Sequence, residues 1–249
     1  MKEKIIQGNP VLGLSVMIPS AQIVEMAGRL GFDWVLIDCE HGSISLETVE
    51  LMTMAAEASN IVPIVRPPKN DPEIILQYLD RGAMGIQAPH VSTASQAEAI
   101  VAAVKYHPLG TRSLAVGTRS ARYGFKLNLS EYAEEANRET LICVQIEDKE
   151  ALDNVAAISR VAGIDVVFLG PSDLSQSMGY PGAAHHPAVQ AAMQQAFTTI
   201  LQTGKAAGTA GNFENAALRL NQGITYYYTH LTTVLARGSA EFFALAKKG

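Results

Sequence analysis

Apolar residues in this chain fall into two alternating patterns. Short, nearly unbroken runs occur at 12–17 (LGLSVM), 34–38 (WVLID), 62–66 (VPIVR), 85–89 (GIQAP), 141–147 (LICVQIE), 165–170 (DVVFLG), 205–211 (KAAGTAG) and 225–230 (TYYYTH). The seventh is the weakest, being built of Gly and Ala. Between and after them, at about 20–30, 46–59, 72–81, 93–105, 130–138, 149–160, 187–203, 213–222 and 232–247, apolar residues recur at helical spacing. Near-continuous apolar strands separated by helices predict a parallel sheet buried on both faces. Eight such units predict an α/β fold, a closed (β/α)8 TIM barrel. The main competitor, an open doubly wound sheet, usually carries a glycine-rich phosphate loop after its first strand. Here the first run leads into MIPSAQIVEMAGRLG, which has none.

A barrel places its catalytic groups at the C-terminal ends of the strands. The polar residues obey that rule. Asp38, Glu40 and His41 end the second run, Arg66 the third and Glu147 the fifth, while Ser172 and Asp173 follow the sixth. Each also has a plainer reading. Asp173 in GPSDL would serve as a helix cap, Arg66 as the salt-bridge partner of Asp38, and His41 as a loop histidine. Their convergence on one rim favours a site.

The length of 249 residues suits a single barrel domain spanning 1–249, and no repeat or low-complexity linker interrupts it. With 48% hydrophobic and 17% charged residues the chain reads as globular. Its formal charge of −5, without a basic stripe, argues against nucleic acid as a partner. No run approaches the roughly 18 apolar residues of a membrane span. Residues 1–10 lack the apolar core of a signal peptide, and the two cysteines, Cys39 and Cys143, lie in apolar runs. A cytoplasmic protein with reduced, buried thiols is therefore expected. The longest irregular segment, 106–128, predicts a lid or binding loop. Its Arg112, Arg119 and Arg122 would close over an acidic substrate tail or face a neighbouring subunit. Tyr226, Tyr227 and Tyr228 are read as barrel packing, and His185 and His186 as loop residues before Pro187.

Two carboxylates on neighbouring strands, Glu147 and Asp173, are hard oxygen donors. With waters they suit Mg²⁺ or Mn²⁺ and leave positions open for substrate. No HxxxH or CxxC spacing points to a zinc site. Arg66 offers a fork of donors to a carboxylate or oxyanion, and the imidazole of His41 can shuttle a proton. Metal, anion clamp and base together point to enolate chemistry on a 2-oxo acid. A lysine Schiff base is the other route. Lys205 begins its strand, at the wrong end; Lys69 and Lys149 lie beyond strand ends, and Lys69 stays open as a candidate.

The segments FDWVLIDCEHG, PIVRPPKNDP, LDRGAMGIQAPHV, VQIEDKEALDN and GIDVVFLGPSDLSQSMGYP resemble, in order and over nearly the whole chain, the HpcH/HpaI family of class II pyruvate aldolases. The resemblance implies the same barrel and homohexamers built from dimers that exchange their last helix. It implies Glu147 and Asp173 as ligands of a divalent metal, Mg²⁺ or Mn²⁺ first, with Co²⁺ and Zn²⁺ as further candidates. Arg66 would contact the ketone or enolate oxygen, backbone at Ser172 would hold the substrate carboxylate, Gly170 and Asp173 would also bind substrate, and Gln145 would sit beside the metal waters. His41 would be the base, Asp80 (in YLDRG) the carboxylate that partners it, and Asp38 an inward-facing acid. The implied activity is reversible cleavage of a 4-hydroxy-2-oxo acid into pyruvate and an aldehyde. Oxaloacetate decarboxylation, enolate addition to another acceptor, or a non-catalytic barrel binding a small acid are the alternatives. Three departures stand out: Ser172 where alanine is common, Ser113 where glycine is usual, and Tyr228, Thr229 and His230 in place of an apolar-Gly-polar-Asp pattern. The last group lies on the acceptor side.

Overall fold

The computed structural model describes residues 1–247. Eight parallel strands, β1 (Val11–Val16), β2 (Trp34–Asp38), β3 (Val62–Arg66), β4 (Gly85–Ala88), β5 (Leu141–Ile146), β6 (Val166–Leu169), β7 (Ala206–Ala210) and β8 (Tyr226–His230), pair in sequence order and close when β8 meets β1. Every predicted run is a strand. The weak seventh is weak for a steric reason. A Cβ on Gly208 would lie 2.9 Å from the Tyr226 ring and 3.1 Å from Phe168, so β7 stays thin to admit the aromatics beside it.

The helices are α1 (Lys2–Ile6), α2 (Ala21–Arg29), α3 (Leu46–Ala58), α4 (Pro72–Asp80), α5 (Ala94–Val104), α6 (Leu129–Glu139), α7 (Lys149–Asp153), α8 (Val155–Ser159), α9 (Pro171–Ser177), α10 (Pro187–Gln202), α11 (Phe213–Asn221) and α12 (Leu231–Ala246). Those after the first four strands start at Ser20, Ser45, Asp71 and Thr93, whose side chains each accept a first-turn N–H. The predicted helix 149–160 is two short ones that meet at Asn154, whose side chain donates to the Ser92 carbonyl (2.8 Å). Helix α1 was below the length that periodicity detects. Its Ile5 packs on the apolar end of the barrel, and Lys2 reaches Asp165 (2.9 Å).

Inside the barrel, alternate residues of each strand point to the axis. At the N-terminal end they are large and apolar. Trp34 stacks on Tyr226 with centroids 4.0 Å apart, and Phe168 on Tyr228 at 5.3 Å. Gly13 makes room, since a Cβ there would sit 2.3 Å from the Trp34 ring. Climbing β5, the inward residues run Leu141, Cys143, Gln145 and then Glu147 just beyond the strand; on β2 they run Trp34, Leu36, Asp38. The interior thus grades from an aromatic floor to a charged mouth. Cys39 and Cys143 are both free and buried, and burial pushes the Cys39 thiol up to about 11.

The segment 106–128 is placed differently from expectation. It follows α5, and loops from helix to strand lie at the N-terminal end of a barrel, away from the site. There Arg112 pairs with Asp80 (2.8 Å) and stacks over Tyr106, and Arg119 pairs with Glu57. It is therefore no lid over this chain's own rim. Helix α12 has no buried residue and exposes Leu235, Phe242, Phe243 and Leu245. Among the described residues no helix is long and apolar enough to cross a membrane.

One buried amine should mark the stability curve. Lys105 is 3% exposed, and its Nζ donates to the Asn137 and Thr140 carbonyls (2.5 and 2.9 Å). Burial, aided by Lys2, lowers its pKa to about 8. A depressed lysine is charged in both states below that value. Above it the unfolded chain binds the extra proton, so stability rises with pH until the unfolded lysine titrates. The raised Cys39 thiol acts oppositely once an unfolded thiol ionises near 9. Between pH 7.5 and 9 Lys105 alone is expected to add about 1 kcal/mol to urea stability, offset in part by the raised thiols of Cys39 and Cys143, and Lys105→Met should remove that contribution.

Candidate active site

The predicted rim residues converge on a cavity of about 480 Å³ at the C-terminal ends of the strands. His41, Arg66, Gln145, Glu147, Gly170, Ser172 and Asp173 all line it. Asp38 lies just beneath, fully buried. Its carboxylate accepts Arg66 Nε (3.0 Å) and Nη2 (2.5 Å) and the backbone N–H groups of Glu40 and His41 (3.1 and 3.2 Å). Glu40 Oε2 lies 3.2 Å from Arg66 Nε. Burial alone would lower the Arg66 pKa, but the Asp38 hydrogen bond, Tyr228, and the charges of Asp38 and Glu40 raise it above the usual arginine value. Arg66 is thus a permanent cation gripped through Nε and Nη2, it lines the cavity, and Nη1 has no hydrogen-bond partner among the described residues.

Glu147 is 2% exposed. Oε2 accepts from Gln145 Nε2 (2.8 Å) and Oε1 from the His90 backbone N–H (2.6 Å), with His90 Nδ1 at 3.1 Å. No lysine or arginine pairs with it among the described residues. Gln145 is itself oriented by Gln87, which donates to its amide oxygen and accepts from Tyr226 Oη (3.2 Å). Burial raises the Glu147 pKa, offset in part by the His90 and Gln145 contacts and increased by Glu40. Asp173 sits in the first turn of α9, whose N-cap is Gly170. It does not cap that helix, and it has no hydrogen-bond or ion-pair partner among the described residues, so the plainer reading of this residue fails.

These residues fit a hard divalent cation. A buried carboxylate with a raised pKa and only uncharged amide donors beside its ring contact gains most from a nearby positive charge. A Cβ on Gly170 would lie 2.9 Å from Glu147 Oε2, so only glycine keeps the space beside that oxygen open. Asp173 supplies a second, uncommitted oxygen donor. No group of three or more His, Cys, Asp or Glu side chains gathers as a metal cluster among the described residues. Two protein carboxylates with open positions suit Mg²⁺ or Mn²⁺ better than Zn²⁺.

One predicted residue does not join the site. Asp80 ends α4, and helix C-termini lie at the opposite end of the barrel, where it holds Arg112. Within this chain it cannot partner His41; His41 Nε2 lies instead 3.8 Å from Glu40. Sequence reasoning also missed His90 and the role of Glu40. His90 Nε2 lies 2.9 Å from Glu40 Oε1. Position alone, just after β4, is the signal the sequence offers for His90; its positive φ is visible only in the structure.

Tyr228, His230, Asn212, Asn215, His185 and Arg219 give the cavity further polar lining. Burial and Arg66 lower the His230 pKa, so its ring is neutral at pH 7, and its Nδ1 has no partner among the described residues. Arg219 is buried against neutral groups only, Gln190 Oε1 (2.6 Å), Gln222 Oε1 (3.0 Å) and the Phe197 ring.

The sequence model of one protein family, HpcH/HpaI aldolase/citrate lyase, matches residues 12–223. The chain belongs to this family. A 4-hydroxy-2-oxo-heptane-1,7-dioate aldolase of Salmonella arizonae is 40% identical over 240 residues, 96% of this chain and 90% of that protein. A pyruvate aldolase of Rhizobium etli is 37% identical over 96% of this chain and 93% of its own length. Among solved structures, an HpcH/HpaI aldolase/citrate lyase family protein from Burkholderia cenocepacia superposes with a TM-score of 0.93 at 27% identity, covering 99% of this chain and 98% of that one. As a member of the HpcH/HpaI family, the chain is an enzyme, a carbon–carbon lyase of the aldolase type.

Proposed function

We propose that the protein is a metal-dependent aldolase that cleaves a 4-hydroxy-2-oxo acid reversibly to pyruvate and an aldehyde. The observation that carries this reading is Glu147, a buried carboxylate without a protein cation, sharing one cavity with Asp173 and the free edge of Arg66. Glu147 and Asp173 would hold the metal, with Gln145 and Gly170 shaping the space beside it. A divalent ion there supplies Lewis-acid polarisation of a ketone.

The chain's own residues do the rest. Arg66 presents N–H donors to the oxygen on which enolate charge develops, a contact that strengthens as the reaction proceeds. Asp38 and Glu40 hold the guanidinium plane so that it need not reorganise. The backbone N–H groups of Ser172 and Asp173, in the first turn of α9, face the substrate carboxylate. His41, half-exposed at the mouth, exchanges the proton of the 4-hydroxyl. Asn212, His185, His230 and Arg219 favour an acceptor that carries hydroxyl or carboxylate groups. The exposed apolar side chains of α12 support a homo-oligomer in which this helix packs on a neighbouring subunit, a hexamer by family resemblance, which a solution mass measurement checks.

The test is pyruvate enolisation. Protein incubated with pyruvate and Mn²⁺ or Mg²⁺ in deuterium oxide is expected to exchange the methyl protons, read by proton NMR, and Asp173→Asn should not. This needs no knowledge of the aldehyde. Exchange no faster than with the metal salt alone would rule out the proposed chemistry.

A further inference from the structure

His90 has no role in the mechanism above, yet it touches two of its carboxylates. It follows β4 and Pro89 with φ +52°, the left-handed region in which His, Asn and Asp are enriched among non-glycine residues. That turn brings its backbone and its ring to the same oxygen. The N–H donates to Glu147 Oε1 at 2.6 Å, and Nδ1 lies 3.1 Å from that atom. The far nitrogen, Nε2, lies 2.9 Å from Glu40 Oε1, while Glu40 Oε2 lies 3.2 Å from Arg66 Nε. One chain of polar contacts, Arg66–Glu40–His90–Glu147, therefore links the ends of β2, β3, β4 and β5.

This arrangement constrains Glu147 from both sides. Gln145 Nε2 donates to Oε2 and the His90 backbone N–H to Oε1, with the His90 ring packed against that same oxygen, so the carboxylate plane is set before any ion arrives. The rigid ring lies between Glu147 and Glu40, 3.1 and 2.9 Å from their nearest oxygens, and sets their separation. His90 is not among the residues that line this cavity, and its side chain is 61% exposed. It works through Glu147 rather than on substrate.

We propose that His90 is a positioning residue for the divalent-cation site, locking Glu147 in its ligating orientation and tying that ligand to the Glu40–Arg66 clamp. The inference rests on the metal reading of Glu147 and Asp173. Partners of metal-ligating side chains commonly contribute about 10–100-fold in metal affinity.

The imidazole must be removed without moving the backbone, because the backbone N–H also serves Glu147. His90→Gly does so, since a positive φ suits glycine. His90→Asn is the second variant: it tolerates this conformation, and its side chain is too short to bridge both carboxylates. The measurement is Mn²⁺ binding to the full-length protein by calorimetry, with the melting temperature of the metal-free protein beside it. Both variants are expected to bind Mn²⁺ about 10–100-fold more weakly than the parent, with the metal-free melting temperature unchanged. In a Glu40→Gln background, where the tether is already cut, the loss from His90→Gly should shrink. If glycine loosens the turn, the asparagine variant decides. Affinities within about twofold of the parent would overturn this inference and leave the metal reading standing. A parent that binds no Mn²⁺ would overturn both.

Discussion

Glu147→Gln is expected to lower kcat/KM for retro-aldol cleavage by about a thousandfold or more, since a Lewis-acidic ion contributes several kcal/mol to such a step. Glutamine keeps the volume of the side chain, so the cavity shape survives. It loses the negative charge that would hold the ion. It must also turn an NH₂ toward donors, either Gln145 Nε2 or the His90 N–H, that now point at carboxylate oxygens. Chelation of the parent should produce the same loss, and added Mg²⁺ or Mn²⁺ should reverse it. Full turnover of the chelated parent would defeat the assignment of Glu147 and Asp173 together. Intact turnover of Glu147→Gln alone would defeat only the first.

Arg66→Lys should cost about 10²–10³ in kcat, the usual effect of removing one oxyanion donor. Lysine retains a charge for Asp38 and Glu40 but not the fork. It cannot satisfy Asp38 along one edge while presenting further N–H groups to the cavity. Arginine does both, with Nε and Nη2 on Asp38 and Nη1 free. The lysine variant is preferable to Arg66→Ala, which would leave Asp38 buried without its cation at a cost of about 3–5 kcal/mol to the fold. The check is kcat and KM measured separately, with the exchange of pyruvate protons as a second readout. A kcat within about tenfold of the parent would remove Arg66 from the oxyanion role.

Family resemblance equates motif positions, not subunit addresses, and within this chain Asp80 and His41 lie apart. The helix that carries Asp80 runs back down the barrel, so the residue ends beside Arg112 at the opposite end from His41. The segment 106–128 was read as a lid from its irregularity, but its place after α5 puts it at that same far end. His90 was missed because nothing in APHV announces a left-handed turn, and without that turn its ring and N–H would not meet one oxygen.

The sequence by itself determined the barrel and the face on which its chemistry lies. Strand alternation and the position of a residue at a strand's end are local properties, so the eight runs and Asp38, His41, Arg66, Glu147 and Asp173 were legible without coordinates. Only the tertiary structure decided who partners whom: Arg66 with both Asp38 and Glu40, Glu147 with Gln145 and His90, and Asp80 with Arg112. Apart from Gln145 with Glu147, those pairings join residues tens of positions apart, and they exist only because closing the barrel brings particular strand ends, and particular helix ends, to common edges.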